Sequence, residues 1–208
     1  MPRKPPERSY DPEETRRLLI AASLDLFADQ GFRGTSVQEI ADRAGLTKGA
    51  FYHHFATKDD VLHLIHDEFI DRALESQEHA LAAYRTPTEQ LARMASDTTL
   101  ICIDYQKHVR VFFQELQVIR GDVREAILDK RRRSTAIFED TVRRGVESGE
   151  FDQGLEPTVA ALGLLGMWVW SYQWYRADGS VPARDVARQF ATMTLHSVGA
   201  RSASVLVV

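Results

Sequence analysis

The stretch from residue 35 to residue 58 constrains this chain more than any other part of its sequence. It reads T-S-V-Q-E-I-A-D-R-A-G-L-T-K-G-A-F-Y-H-H-F-A-T-K. Ser36 and Glu39 have the spacing of a capping box, which opens a helix, and Gly45 is placed to end that helix in a tight turn. Thr47 then caps a second short helix. Two short helices joined in this way predict a helix-turn-helix, whose second helix enters the major groove of DNA.

The start of the second helix carries the residue types that a DNA groove requires. Small or polar side chains let the backbone approach closely, and a cation reaches a phosphate or a guanine edge. Four consecutive residues have this character: Thr47, Lys48, Gly49 and Ala50. Tyr52 and His53 follow one turn later, where they can reach phosphates or thymine methyl groups. We therefore predict that this face contacts double-stranded DNA.

Flanking residues are predicted to position the duplex through its backbone. Thr35 and Ser36 would offer hydroxyls and free amides at the start of the first helix. Lys58, at the start of the next helix, adds a cation suited to a phosphate. Gln38 is the residue of the first helix best able to reach a base.

Other interpretations of the same residues stay open at this level. The threonine and serine residues also serve as ordinary helix caps, and the aromatic block could be divided between core and solvent. A metal site at His53 and His54 is not expected, because adjacent residues on a helix point about 100° apart and no third ligand lies nearby.

Residues 13 to 62 resemble the DNA-binding domain of the TetR family of transcriptional repressors. The resemblance rests on G-F-R-G-T-S-V-Q-E-I-A, followed by A-G-L-T-K-G-A-F-Y-H-H-F-A-T-K-D-D-V-L. It implies a homodimer that binds a palindromic operator with one head in each half-site. It implies phosphate contacts from Thr35, Ser36, Tyr52, His54 and Lys58. It implies base or groove contacts from Gln38, Thr47, Lys48, Gly49, Ala50 and His53.

Charge is distributed in a way that agrees in sign with this assignment. The formal net charge of the chain is −4, which argues against a general nucleic-acid coat protein. Up to Lys58 there are nine Lys/Arg and eight Asp/Glu, whereas the remainder is acidic. The sequence contains no run of 18 apolar residues and no apolar signal core, so a cytoplasmic protein without membrane contact is expected.

Nothing in the sequence indicates an enzyme or a bound cofactor. No nucleophile elbow, metal-spaced His/Cys cluster or phosphate-binding loop is present, so no catalytic residue is assigned. Cys102 is the single cysteine and lies among apolar residues, where it is expected to be a small buried hydrophobe.

Helical periodicity dominates the chain and predicts an all-α protein of about nine helices. Residues 1–10 are interpreted as a disordered basic arm and 11–58 as the helix-turn-helix domain. Residues 59–200 would form a ligand-binding and dimerisation domain, and 201–208 a C-terminal tail. A short helix is predicted over 108–119.

The last two predicted helices, Pro157–Tyr175 and Pro182–Val198, would pair with those of a second copy, as the family resemblance implies. The first of them is apolar almost all round and needs cover on several faces. One side would serve the homodimer and another a pocket. The three tryptophans could equally be plain core.

The block M-W-V-W-S-Y-Q-W-Y-R-A-D-G resembles a subgroup of TetR repressors that answer to acyl-CoA thioesters of lipid or sterol catabolism. Such a ligand needs an apolar tunnel and cations for its phosphates. The ligand-binding candidates are Phe69, Met94, Leu100, Phe112, Phe113, Leu116, Met167, Trp168, Trp170, Trp174 and Arg176. Further cationic candidates are Arg110, Arg120, Arg131 and Arg143, although the basic run at 130–133 could be a solvated helix face.

An alternative effector is an aromatic or cationic drug-like molecule, with efflux genes as targets. The two alternatives make different demands on the pocket. A CoA ester requires arginine at the pocket mouth, whereas a cation requires carboxylates inside it.

Overall fold

The computed structural model describes residues 11–200, and every regular element within that range is a helix. The predicted all-α class is confirmed, with nine helices of seven or more residues and one four-residue turn. They are α1 (Pro12–Gln30), α2 (Val37–Ala44), α3 (Lys48–His54), α4 (Lys58–Ala83), α5 (Pro87–Asp104), α6 (Gln106–Glu115), α7 (Gly121–Glu147), α8 (Pro157–Val169), α9 (Ser171–Trp174) and α10 (Ala183–Ser197). The predicted basic arm and C-terminal tail lie outside the described residues.

Two predicted helix boundaries are wrong. The expected helix over 108–119 is α6, which begins at Gln106 and ends at Glu115. The expected single helix from Pro157 to Tyr175 is interrupted at Trp170. There the Ser171 hydroxyl donates to the Trp168 carbonyl at 2.8 Å, and the amide of Gln173 bonds only three residues back, to Trp170. A serine side chain that competes for a backbone carbonyl disturbs the helical ladder, and apolar periodicity carries no sign of this.

The chain divides into two compact units within α4, one extending to Ile65 and the other beginning at His66. The core of the first unit consists of side chains that are completely buried. They include Leu19, Phe27, Ile40, Ala41, Phe51, Val61, Leu62 and Ile65. Apolar side chains of α1, α2, α3 and the first turns of α4 therefore form one small core.

The turn between α2 and α3 is built around Gly45. Its backbone is left-handed, with φ of 68°, and an added Cβ would meet nothing within 4 Å. The amides of Gly45 and Leu46 donate to the carbonyls of Asp42 and Ala41 at 3.1 and 2.9 Å. This is a Schellman ending, which satisfies two helix carbonyls that would otherwise lack partners. Thr47 then caps α3 by accepting the amide of Ala50 at 3.1 Å.

The second unit is centred on α5, which packs along α10, and on α7, which packs against α8. Trp168 is completely buried in this core, with its ring 5.2 Å from that of Phe138. Its indole N–H donates to the Thr194 hydroxyl at 2.8 Å, so the polar atom of this large side chain is satisfied.

Cys102 is also buried, and burial raises the pKa of its thiol to about 12. No helix in residues 11–200 is long and apolar enough to span a bilayer.

The left-handed turn at Gly45 can be tested against a second exposed glycine. Gly45→Ala should lower the stability of the first unit by about 1–2 kcal/mol, because a Cβ is disfavoured at positive φ. Gly49→Ala, at a helical position with room for a methyl group, should change stability by less than about 1 kcal/mol and in the stabilising direction. Amide hydrogen exchange of α2 and α3 measures the stability change caused by each substitution. Equal effects of the two substitutions would contradict the proposed role of the turn.

Candidate DNA-binding surface and ligand cavity

Helix α3 has one buried face and one exposed polar face. Phe51 and Phe55 are buried, with ring centroids 5.5 Å apart, and fix the helix to the core. The opposite face exposes most of the predicted groove residues: Thr47, Lys48, Gly49, Tyr52 and His53. Ala50 and His54 are half-buried. The local fold therefore presents the predicted residues outward, as a groove-reading helix requires.

A cation and an aromatic ring lie side by side on this exposed face. The ammonium of Lys48 is 5.9 Å from the ring centroid of Tyr52, which is 52% exposed. The contact leaves the ammonium and the phenol hydroxyl on the same surface. Such a pair can bind a phosphate or reach a base edge in the groove.

Gly49 lies between these groups in sequence and leaves a gap in the surface. A Cβ at this position would be 3.7 Å from the Thr47 hydroxyl, an ordinary van der Waals contact. Nothing within the described part of the protein therefore requires glycine here. The missing side chain instead leaves room for another molecule to approach the α3 backbone closely.

At the start of α2, the amides of Thr35 and Ser36 have partners within the chain. The amide of Ser36 donates to the Glu39 carboxylate at 2.7 Å, and the Ser36 hydroxyl accepts the amide of Glu39 at 3.2 Å. These bonds from Ser36 hold the pKa of the Glu39 carboxyl below its usual value. Thr35 is only 2% exposed, and its amide and hydroxyl donate to the carbonyls of Phe32 and Gly31. The predicted capping box thus uses the Ser36 amide, and nearby carbonyls accept both donors of Thr35.

The side chain of Lys58 is directed toward the backbone of the first unit. Its ammonium donates to the carbonyls of Phe32 at 2.7 Å and Thr35 at 2.8 Å, and lies 4.3 Å from the Phe32 ring centroid. The side chain therefore ties the α1–α2 connection to the first residue of α4. Local spacing carries no sign of this role, because the two carbonyls lie more than 20 residues earlier in the chain.

Gln38, the predicted base reader of α2, is exposed, and its amide donates to the Asp42 carboxylate at 2.8 Å. That bond joins neighbouring turns and orients the side chain along the helix surface.

The second unit contains a cavity of about 390 Å³ with predominantly apolar walls. Helices α4 to α9 all contribute to it. The lining consists of Phe69, Ile70, Ala73, Gln77, Thr98, Ile101, Cys102, Phe112, Phe113, Arg131, Ser134, Thr135, Phe138, Leu162, Leu165, Gly166, Val169, Trp170 and Tyr172. One wall is a stack of Phe113 on Tyr172, with centroids 6.1 Å apart.

The structure brings only part of the predicted ligand set to this cavity. Phe69, Phe112, Phe113 and Trp170 line it. The other candidates lie outside the cavity lining. Met94, Met167 and Trp168 belong to the core around α5 and α10, and Leu100 borders a separate polar depression with Asp97 and Asp104.

The remaining candidates are also outside the lining. Trp174 is largely exposed and contacts Phe190, and Leu116 is half-buried beyond the end of α6. Arg176 is exposed and pairs with Asp178 at 3.3 Å.

Arg131 differs from the other cations of the basic run 130–133 in the groups that it contacts. Lys130 donates to Asp67 and Asp71, Arg132 pairs with Asp129, and Arg133 pairs with Glu78. The guanidinium of Arg131 instead lies 6.0 and 5.6 Å from the ring centroids of Phe112 and Phe113. It is exposed as well as part of the lining, so it stands at the mouth of the cavity.

Each of the two units matches a known family profile. The profile "Bacterial regulatory proteins, tetR family" matches residues 19–65, and "Tetracyclin repressor-like, C-terminal domain" matches residues 84–198. The chain belongs to the TetR family of transcriptional regulators. Its members are DNA-binding regulators rather than enzymes.

Individual relatives are similar over most of their length. The repressor KstR2 of Mycobacterium tuberculosis is 25% identical over 182 residues, which cover 86% of this chain and 90% of that protein. Its crystal structure superposes with a TM-score of 0.83, at 24% identity over 88% of this chain and 94% of that one, and shows a common fold. The probable regulator ArpR of Pseudomonas putida is 31% identical over 173 residues, covering 76% and 81% of the two chains.

A further structure is AibR, solved in complex with isovaleryl coenzyme A and operator DNA. It superposes with a TM-score of 0.76, at 27% identity over 86% of this chain and 97% of that one.

The placement of Lys58 can be separated from a phosphate contact by experiment. Lys58→Met should destabilise the first unit by about 1–3 kcal/mol, because two carbonyls lose a charged donor. Its effect on the salt dependence of binding to nonspecific duplex DNA should be small. Lys48→Met, the matched control, should leave stability within about 0.5 kcal/mol and reduce the salt slope by about 0.9.

Stability is read by hydrogen exchange of α1–α3 amides, and DNA binding by fluorescence anisotropy at several salt concentrations. If Lys58→Met leaves exchange unchanged and lowers the salt slope, Lys58 contacts phosphate and its structural role is refuted.

Proposed function

We propose that this protein is a homodimeric repressor that binds a palindromic operator and is released by an acyl-CoA thioester. The observation that carries the effector class is the cavity itself: apolar walls, one arginine at the mouth and no carboxylate among its lining residues. The exposed face of α3 supports the operator. The second copy is supported by exposed apolar residues on the last helices.

The size of the cavity favours an acyl group over an entire coenzyme. About 390 Å³ lies near the lower end of the roughly 300–1,000 Å³ that ligand sites occupy. A short or medium acyl chain, or a small ring, fits within it. The polar nucleotide of CoA would remain outside, where Arg131 offers a charge-assisted bond to phosphate. AibR, whose structure contains isovaleryl coenzyme A, is a relative with a compatible ligand.

The electrostatics of the lining argue against the cationic alternative. A buried cation requires a carboxylate partner, because an isolated charge in an apolar cavity is strongly disfavoured. The cavity residues include Arg131 and no Asp or Glu. An anionic ligand with an apolar part therefore suits this site better than a cationic drug.

A homodimer would cover apolar surface that a monomer leaves in water. On α8, Val159 and Leu162 are 69% and 54% exposed, and on α10 Met193 is 49% exposed. Gly163 and Gly166 lie on the same side of α8, where an added Cβ would meet nothing within 4 Å. Large apolar side chains beside small ones form a surface against which another helix can pack closely.

Helix α4 is the proposed carrier of the signal. It contributes Phe69, Ile70, Ala73 and Gln77 to the cavity, and it begins at Lys58, which is bonded to the helix-turn-helix. The heads of a dimer must match half-sites about 34–36 Å apart, so a small change in their spacing would cost contacts in both. The effector must bind the DNA-incompetent state more tightly, since coupling between the two sites is reciprocal.

Release from DNA by acyl-CoA tests the effector class. Short- and medium-chain acyl-CoAs should dissociate the protein from a duplex selected from its own upstream region, whereas CoA alone should not. Arg131→Gln should weaken acyl-CoA binding about tenfold, equivalent to one charge-assisted bond. Arg133→Gln, two positions further along α7 and paired with Glu78, is the matched control.

Anisotropy of the labelled duplex measures release, and titration calorimetry measures acyl-CoA affinity. If no chain length releases the duplex, the acyl-CoA effector is refuted. If both arginine variants behave alike, Arg131 has no role at the mouth.

The proposed dimer surface can be tested in solution. The double substitution Val159→Glu with Met193→Glu should convert a dimer to a monomer at micromolar concentration, because it places carboxylates from both copies in an apolar contact. Gln117→Glu, an exposed position between α6 and α7, should leave the dimer intact. Sedimentation velocity distinguishes dimer from monomer, with circular dichroism as the folding control. A dimer that survives the double substitution would place the interface elsewhere.

A further inference from the structure

A polar pair is buried in the otherwise apolar wall of the cavity. Gln77 of α4 is 2% exposed and Ser134 of α7 is 8% exposed, and both belong to the lining. The Gln77 amide nitrogen donates to the Ser134 hydroxyl oxygen at 2.7 Å. The two side chains are therefore held together where the surrounding groups are mainly aromatic and aliphatic.

The hydrogen bonds of this pair are incomplete. The Oε1 atom of Gln77 is buried and has no hydrogen-bond partner in the described part of the chain. Buried amide oxygens are nearly always bonded, because an unpaired one forfeits its hydration without compensation. Turning the amide by half a rotation would pair the oxygen with the Ser134 hydroxyl and leave the nitrogen unpaired instead. In either orientation one polar atom of Gln77 has no partner among the described residues.

We propose that Gln77 and Ser134 form a subsite for a hydroxyl group of the effector. This inference rests on the proposed effector cavity and specifies its ligand as a hydroxylated chain or ring rather than a plain hydrocarbon. A hydroxyl both donates and accepts, so it satisfies the amide in both orientations, whereas a carbonyl satisfies only one. The apolar walls formed by Phe69, Phe112 and Phe138 hold the carbon skeleton, and the polar pair selects its functional group.

Discrimination by such a site is asymmetric. A ligand that supplies the hydroxyl completes the bonds of Gln77. A ligand of equal shape that lacks it leaves the buried amide unpaired and is rejected. The chemistry of the pair therefore selects among ligands that the apolar walls alone could not distinguish.

Two probes of almost equal shape, 2-naphthol and 2-methylnaphthalene, differ only by hydroxyl against methyl. Titration calorimetry on the full-length protein should give about tenfold tighter binding of the naphthol, the ratio that corresponds to one hydrogen bond. Gln77→Leu should abolish that preference or reverse it, because it replaces the amide by an apolar side chain of similar size. Ser134→Ala should reduce the preference. Thr135→Val, which removes another hydroxyl from the same cavity, should preserve it.

A second series links the subsite to the effector. Octanoyl-CoA is compared with the positional isomers of hydroxyoctanoyl-CoA. One of these isomers should bind about tenfold more tightly than octanoyl-CoA. Gln77→Leu should remove that difference in affinity. If neither series prefers the hydroxylated ligand, or if the preference survives Gln77→Leu, the subsite is refuted. If acyl-CoAs fail to bind while 2-naphthol is preferred through Gln77, the hydroxyl subsite stands and the CoA thioester assignment fails. If acyl-CoAs bind without any preference for a hydroxyl in either series, the subsite fails and the CoA thioester assignment stands.

Discussion

The ammonium of Lys58 joins two parts of the first unit that lie far apart in the sequence. Two carbonyls and one aromatic ring surround it, and they come from the connection that leads into α2. A charged donor shared between two carbonyls is stronger than a neutral hydrogen bond and holds both in place. The position at which α2 begins is thereby fixed relative to the start of α4. Because α2 leads through the Gly45 turn into α3, the position of the exposed α3 face also depends on this contact.

The features that could be predicted from sequence depend on near neighbours in the chain. The caps at Ser36 and Thr47 and the left-handed turn at Gly45 each involve residues within five positions of one another. Their geometry follows from local backbone requirements, so composition and spacing are sufficient. The role of Lys58 and the break at Trp170 were not predictable in this way. The first depends on carbonyls distant in sequence, and the second on one serine side chain competing with the helical ladder.

The residues that line the cavity were also hard to predict, because helices distant in the sequence bring them together. Apolar side chains such as Met94 and Trp168 look like pocket residues in sequence, yet helix packing places them in the core. Gln77 and Ser134 carry no motif and lie 57 positions apart, so only the packed helices reveal that they meet. Arg131 stands in a basic run whose other members are all neutralised by acidic partners. Its neighbours Phe112 and Phe113, rather than its own local sequence, make it a cavity residue.

Polar contacts to α7 also determine how α4 could respond to a ligand. Lys130 bonds to Asp67 and Asp71, and Ser134 bonds to Gln77, so α4 is tied to α7 at several points along the cavity. A helix fastened at one point would bend locally when a ligand pressed on it. A helix fastened at several points, with close-packed side chains between them, resists bending over the segment that those points span, here residues 67–77 of α4. A ligand that displaced this segment of α4 would therefore also act on α7, through the bonds at Asp67, Asp71 and Gln77.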